Sequence, residues 1–250
     1  MTKSKEGAMT VLEHLSELRI RLAISATALL ASAIYSFSRV AEIRRLITAP
    51  MQGGELIFLS PPEALTANLT LSFAAGAVIA SPVILYQVLA FLFPAFARRE
   101  KIFILTVLAG ICFLFAAGVL FAYRVVFPYT IIFFLQFATE SLEAQFIISD
   151  YISFFISFHL AFGFVFQLPL LFWALGRAGL ISSLFLRRNR KFALLLMLLT
   201  AAVITPPDVL SQLIMTVPLL FLYELGIIAV MISERKKAKM PAEAGIIAGD

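Results

Sequence analysis

Charge is scarce in this chain. Only 14% of its 250 residues are Asp, Glu, Lys or Arg while 61% are hydrophobic, against about a quarter and a half in a soluble domain. With a mean hydropathy of +0.98, water is excluded as its main solvent and a long soluble domain has no room. Cysteine occurs once, as Cys112 in an apolar run, which excludes an intrachain disulfide and a cysteine metal cluster. Histidine occurs twice, and His159 has no acidic residue at helical spacing in its own run, so no metal site is expected. Gly-x-Ser-x-Gly, His-Glu-x-x-His and an Asp pair at membrane depth are all missing, so neither covalent chemistry nor a cofactor is expected. Internal repeats, low-complexity stretches and soluble linkers are absent as well. The net charge of +5 would hint at nucleic acid in a soluble protein; in an apolar chain it marks basic loops, and no nucleic-acid partner is expected.

What is present is apolar length. Phenylalanine supplies 25 residues, bulky surface suited to lipid. Apolar runs cover residues 22–37, 65–93, 102–123, 151–175, 192–204 and 209–232, and most approach the roughly 20 residues that cross about 30 Å of hydrocarbon. The expected fold is therefore an all-α integral membrane protein of six transmembrane helices in a single membrane domain, residues 1–250. The last two helices are expected to be short: the fifth run is brief, and Glu224 interrupts the sixth. Two short crossings are preferred to a re-entrant hairpin, which loop charge cannot separate from them. The third run continues past Arg124, which is placed near the outer interface, and Pro128 is expected to kink the extension. Pro50, Pro61 and Pro62 punctuate the first outer loop and suggest an ordered cap.

Orientation follows the basic residues. Lys3, Lys5, Arg19, Arg21, Arg98, Arg99, Lys101, Arg177, Arg187, Arg188, Arg190, Lys191, Arg235, Lys236, Lys237 and Lys239 fall in one alternating set of loops. Only Arg39, Arg44, Arg45 and Arg124 fall in the other, with most of the acidic loop residues. Both termini are thus expected in the cytoplasm, residues 1–18 as an N-terminal segment and 240–250 as a flexible tail. A cleavable leader is the competing reading of the first run, since Ala31-Ser32-Ala33 follows a basic and apolar stretch; the long preceding segment with Glu13 and Glu17 argues against it.

Several segments occur together in order. The first is His14-Leu15-Ser16-Glu17-Leu18-Arg19-Ile20-Arg21-Leu22. Next comes Ser81-Pro82-Val83-Ile84-Leu85-Tyr86-Gln87 with Phe91, Pro94 and Ala95, followed by Arg99-Glu100-Lys101. Ala161-Phe162-Gly163 leads to Leu168-Pro169; then follow Thr205-Pro206-Pro207-Asp208-Val209-Leu210-Ser211-Gln212, Pro218 and Tyr223-Glu224. The ordered set resembles the TatC family, six-helix receptors of the twin-arginine protein translocase. The resemblance implies recognition of paired arginines in the signal peptides of folded export substrates and assembly with single-span TatA- and TatB-type partners. It also implies an oligomer in the lipid bilayer of the inner membrane, with transport driven by the protonmotive force.

On that resemblance Glu17 and Glu100 are the expected signal-peptide-binding pair, because a guanidinium can donate two parallel hydrogen bonds to one carboxylate. Leu15, Leu18, Phe91 and Phe96 are candidate apolar contacts, and Glu13 could broaden the acidic patch. From the residues alone, Glu17 could equally pair with Arg21 one turn later and Glu100 could be a solvated loop charge. Gln167, read as mid-helix, stands where many family members carry glutamate. It is a candidate contact for a partner's helix, or an amide satisfied inside the bundle. Asp208 could cap the sixth helix, Glu224 could face protein or a water-filled concavity, and Pro82 permits a kink. A small-solute transporter or channel is the alternative function, opposed by the lack of an inverted repeat and of a buried acidic pair; an intramembrane enzyme ranks third.

Overall fold

The computed structural model describes residues 11–51, 55–92, 101–136, 145–204 and 209–246. Ten α-helices are seen among them: α1 (Val11–Ser38), α2 (Val40–Thr48), α3 (Pro61–Leu92), α4 (Lys101–Phe121), α5 (Phe127–Leu135), α6 (Ile148–Val165), α7 (Leu168–Ala178), α8 (Ser183–Arg188), α9 (Arg190–Ile204) and α10 (Val209–Ile246). Among the described residues, five helical stretches are long and apolar enough to cross a membrane: His14–Ser38, Pro61–Phe91, Leu105–Leu135, Ile148–Ala178 and Gln212–Arg235. The chain divides into two compact units, Met1–Phe113 with Gln145–Ile156, and Leu114–Ala144 with Ser157–Asp250.

In the first unit, α1 and α3 pair antiparallel along their length. Ala33 lies against Gly76, and Arg21 reaches Gln87. α1 starts at Val11, well before the apolar run, so residues 11–18 are helical. The apolar run marks the stretch suited to hydrocarbon, whereas the helix continues through His14, Glu17 and Arg21 on one face. α3 spans 32 residues and runs through Pro82. Proline cannot bond the carbonyl four residues back, and here that carbonyl, Val78 O, accepts from the Ser81 hydroxyl at 2.8 Å. A neighbouring serine thus satisfies the group that the proline orphans.

The connection expected to be an ordered cap contains α2, a 3-10 turn at Ala49–Met51 and a strand, β1 (Glu55–Ile57). β1 pairs in parallel with β2 (Gln145–Ile147), setting Glu55 opposite Gln145, Leu56 opposite Phe146 and Ile57 opposite Ile147. This two-stranded sheet departs from the all-α expectation. Side chains fasten it. Glu63 accepts from the Leu59 backbone N–H (2.7 Å) and from the Ser149 hydroxyl (2.6 Å), and the buried Tyr151 hydroxyl donates to Ile47 O at 2.5 Å. Tyr151→Phe is expected to destabilise the protein by about 1 kcal/mol, the net worth of one such bond. Thermal unfolding in detergent reads this directly, and an unchanged midpoint would show that the bond contributes nothing.

In the second unit, prolines follow irregular turns within longer helical stretches. A π-helical turn, Ala122–Val126, separates α4 from α5; there Phe127 N–H bonds Ala122 O, five residues back. Pro128 sits in the first turn of α5, so the wider turn absorbs the donor and the space that its ring removes. Pro169 likewise stands at the start of α7, and the chain turns at Phe166 and Gln167. Gln167 is therefore at a helix break, not mid-helix as expected, because a proline disturbs the turn preceding it. α7 ends at Gly179, whose positive φ of 79° suits glycine.

α7 and α10 run parallel, with Gly176 against Val230 and Gly226 against Phe172. α8 is tied to α10 by Glu234, which accepts from Ser183 N–H and hydroxyl, and by Tyr223, whose hydroxyl donates to Leu186 O. α9 has 15 residues, about 22 Å of helix, and is short as expected. α10 is not. It runs for 38 residues to Ile246, through the start of the expected tail, and its crossing stretch Gln212–Arg235 includes Glu224. The reason is a tertiary contact: the Glu224 carboxylate is paired with Arg190 of α9 at 2.8 Å, so it need not end the apolar stretch.

Candidate functional site

At spacings of three and four residues, His14, Glu17 and Arg21 share one face of α1. Antiparallel pairing brings this face to Gln87 and Phe91, one turn apart on α3. The His14 ring stacks on Phe91, with centroids 4.3 Å apart and planes at 11°. Arg21 donates twice to one oxygen of Glu17, through Nε at 2.9 Å and Nη2 at 2.5 Å, and through Nη1 to Gln87 Oε1 at 3.0 Å. Both members of the ion pair are 21% exposed. The second oxygen, Glu17 Oε2, is buried and has no hydrogen-bond partner among the described residues; His14 Nδ1 lies 4.0 Å away, beyond hydrogen-bond range.

Leu15 is 55% exposed and Leu18 40%, and with exposed Leu22 they form a stripe on α1 beside the carboxylate. The cluster thus offers one half-buried anion, a flat aromatic wall and adjoining apolar surface. Such a setting suits a cation attached to an apolar segment. A carboxylate with one oxygen already engaged by a guanidinium fork has its other oxygen available for a second donor.

The local pairing of Glu17 with Arg21, readable from their spacing, is thus present, but the network also crosses to α3. His14 and Gln87 were missed as site residues. Their signal was the shared helical face with Glu17 and with Phe91, which becomes meaningful only once α1 and α3 are paired. Glu100, Phe96 and Asp208 lie outside the described residues, as does the side chain of Glu13. Gln167 turns its amide back to Gly163 O at 3.4 Å. Glu224 joins α10 to the start of α9 through Arg190. His159 is buried against the rings of Phe127, Phe158 and Tyr123.

Residues 13–218 match the family model described as Sec-independent protein translocase protein (TatC). The chain is 39% identical over 237 residues to the Sec-independent protein translocase protein TatC of Desulforapulum autotrophicum, covering 93% of this chain and 88% of that one. It is 37% identical to the TatC of Aquifex aeolicus, covering 93% of this chain and 99% of the relative. A crystal structure described as the twin arginine translocase receptor TatC superposes with a TM-score of 0.77 at 37% identity, covering 89% of this chain and all of the other. With a match over most of its length and five helical stretches fit to cross a bilayer, this multi-pass membrane protein belongs to the TatC family of Sec-independent protein translocase proteins.

Proposed function

We propose that this chain is the receptor subunit of a twin-arginine translocase. It binds the paired arginines of a signal peptide at the cytoplasmic face of the inner membrane and passes folded proteins outward at the expense of the protonmotive force. The observation that carries this reading is the half-buried Glu17 carboxylate, whose Oε2 has no hydrogen-bond partner among the described residues. It lies beside the His14–Phe91 stack and the exposed leucines of α1. An exposed ion pair is worth only about 0.2–1 kcal/mol, so useful affinity needs this partial burial and the apolar contacts of the signal peptide's hydrophobic stretch. Glu100 is assigned to the second arginine, with Phe96 adding apolar surface and Glu13 widening the acidic patch.

Six crossings with both ends in the cytoplasm complete the proposal, α9 being the fifth in chain order and the shortest. In its support, α1 and α3 are antiparallel, and the basic residues of α8 share one end of their unit with Arg235. TatA- and TatB-type single-span subunits are the proposed partners in an oligomeric complex, with Gln167, at the break before α7, as a contact for one of their helices.

The test is crosslinking of membranes that contain this protein to a signal peptide with two arginines and to the same peptide with two lysines. Most of the crosslink should vanish with the lysine peptide. Equal labelling by both would remove the receptor reading, and it is the result that a small-solute transporter should give.

A further inference from the structure

Glu17 already holds a guanidinium. From the geometry of that contact, and resting on the receptor reading above, we infer that Arg21 is a resident competitor for the peptide's seat. It occupies Glu17 and Gln87, so that a peptide cation must displace it; an incoming arginine replaces its contacts in kind and an incoming lysine does not.

Arg21 uses its planar fork on two residues at once, with Nε and Nη2 on Glu17 Oε1 and Nη1 on Gln87 Oε1. These two acceptors lie on different helices, α1 and α3. A guanidinium spans them because its donors diverge from a rigid plane; an ammonium is a compact, strongly hydrated point charge whose three donors leave one atom. Exchange of Arg21 for a peptide arginine therefore replaces each hydrogen bond in kind. Exchange for a lysine leaves Gln87 or one contact of Glu17 unfilled and strips water from a more tightly hydrated ion. Direct charge attraction does not provide this selection, since it acts on both cations alike.

Glu17 Oε2 is the oxygen that Arg21 does not touch; it is buried, and no described residue hydrogen-bonds to it. Exchange therefore begins with the Arg21 fork swinging off Oε1, which opens the whole carboxylate to the incoming cation. The positive charge of Arg21, together with exposed Arg19 on the same helix, opposes any cation that has not yet made its hydrogen bonds. Arginine and lysine meet the same repulsion, and only arginine recovers the full set of contacts.

The experiment measures binding of labelled twin-arginine and twin-lysine peptides to the full chain in lipid nanodiscs, for the unaltered protein, Arg21→Ala and Gln87→Met. With Arg21→Ala both peptides should bind roughly tenfold more tightly, the worth of one charge-assisted hydrogen bond, with the preference for arginine unchanged, because the competitor removed is the same for both. Gln87→Met, which keeps every charge, frees Arg21 of a bond that only an arginine replaces, so it should lower the preference for arginine several-fold by tightening the lysine peptide, and it decides the matter if Arg21→Ala does not fold. Unchanged affinity of both peptides for folded Arg21→Ala would overturn the inference, as would an unchanged preference in folded Gln87→Met or loss of arginine-peptide binding from a correctly folded Arg21→Ala protein. A different result, no preference in the unaltered protein, would instead sink the receptor reading on which the inference rests.

Discussion

Glu17→Ala is expected to abolish export of a twin-arginine reporter while leaving the protein in the membrane at its normal level. The substitution removes the sole carboxylate in the described cluster, and with it the acceptor of two Arg21 hydrogen bonds. A hydrogen bond to a charged group contributes about 1.5–3 kcal/mol, so loss of one to the signal arginine corresponds to roughly ten- to hundredfold weaker binding. Stability should suffer much less, because the ion pair is at the partly exposed end of α1, far from the seam at Ala33 and Gly76, and Arg21 retains Gln87. Glu17→Gln separates shape from charge: the amide accepts one bond but attracts no cation, and export should fall nearly as far as with alanine. Glu100→Ala is assigned the same phenotype. Reporter export and immunoblotting of the membrane fraction give both readouts, and normal export from the Glu17 and Glu100 variants would remove these residues from the site.

The parts of this fold that were legible in the sequence are those set by local pattern. Apolar runs located every membrane-suited stretch because hydrocarbon demands apolar length whatever the tertiary contacts. The i, i+4 relation of Glu17 and Arg21 is also local and holds. What escaped was register. Pro128 announced a kink, but a proline disturbs the preceding turn, so the irregularity fell on 122–126 instead of on the proline itself, and the turn at Gln167 before Pro169 follows the same rule. Parallel pairing of β1 with β2 joins segments separated by several helices and leaves no mark in either three-residue strand. Glu224 suggested a short last helix because its partner Arg190 lies on another helix. The site divides similarly: Glu17, Leu15, Leu18 and Phe91 could be named from motif and composition, whereas the Gln87 contact and the His14 stack depend on how α1 slides along α3.

That sliding register rests on a seam of small residues, and Gly76→Val is expected to disrupt it with the largest loss of stability of any substitution considered. Ser72, Gly76 and Ala80 recur every fourth residue along α3 and are buried, the small-residue spacing that lets two membrane helices approach closely. A Cβ at Gly76 would stand 2.6 Å from Ala33 N and 2.7 Å from Ala33 Cα. Both are backbone atoms of α1, so no rotamer change can relieve the clash and the helices must separate. Overpacking of this kind costs about 1–3 kcal/mol, and the branched valine adds to what alanine would already cause. Gly110 on α4 is the matched control: a Cβ there meets nothing within 4 Å, and Gly110→Ala should be neutral or slightly stabilising through helix propensity. The damage at Gly76 should also reach the site, because Gln87 and Phe91 meet Arg21 and His14 through the same pair of helices. Thermal unfolding in detergent should therefore show a clear drop for Gly76→Val and none for Gly110→Ala, with signal-peptide crosslinking weakened in the former alone. Equal unfolding midpoints for the two variants would mean that close approach at Ala33 does not hold α1 against α3, and the register on which the Glu17, Arg21 and Gln87 network depends would need another cause.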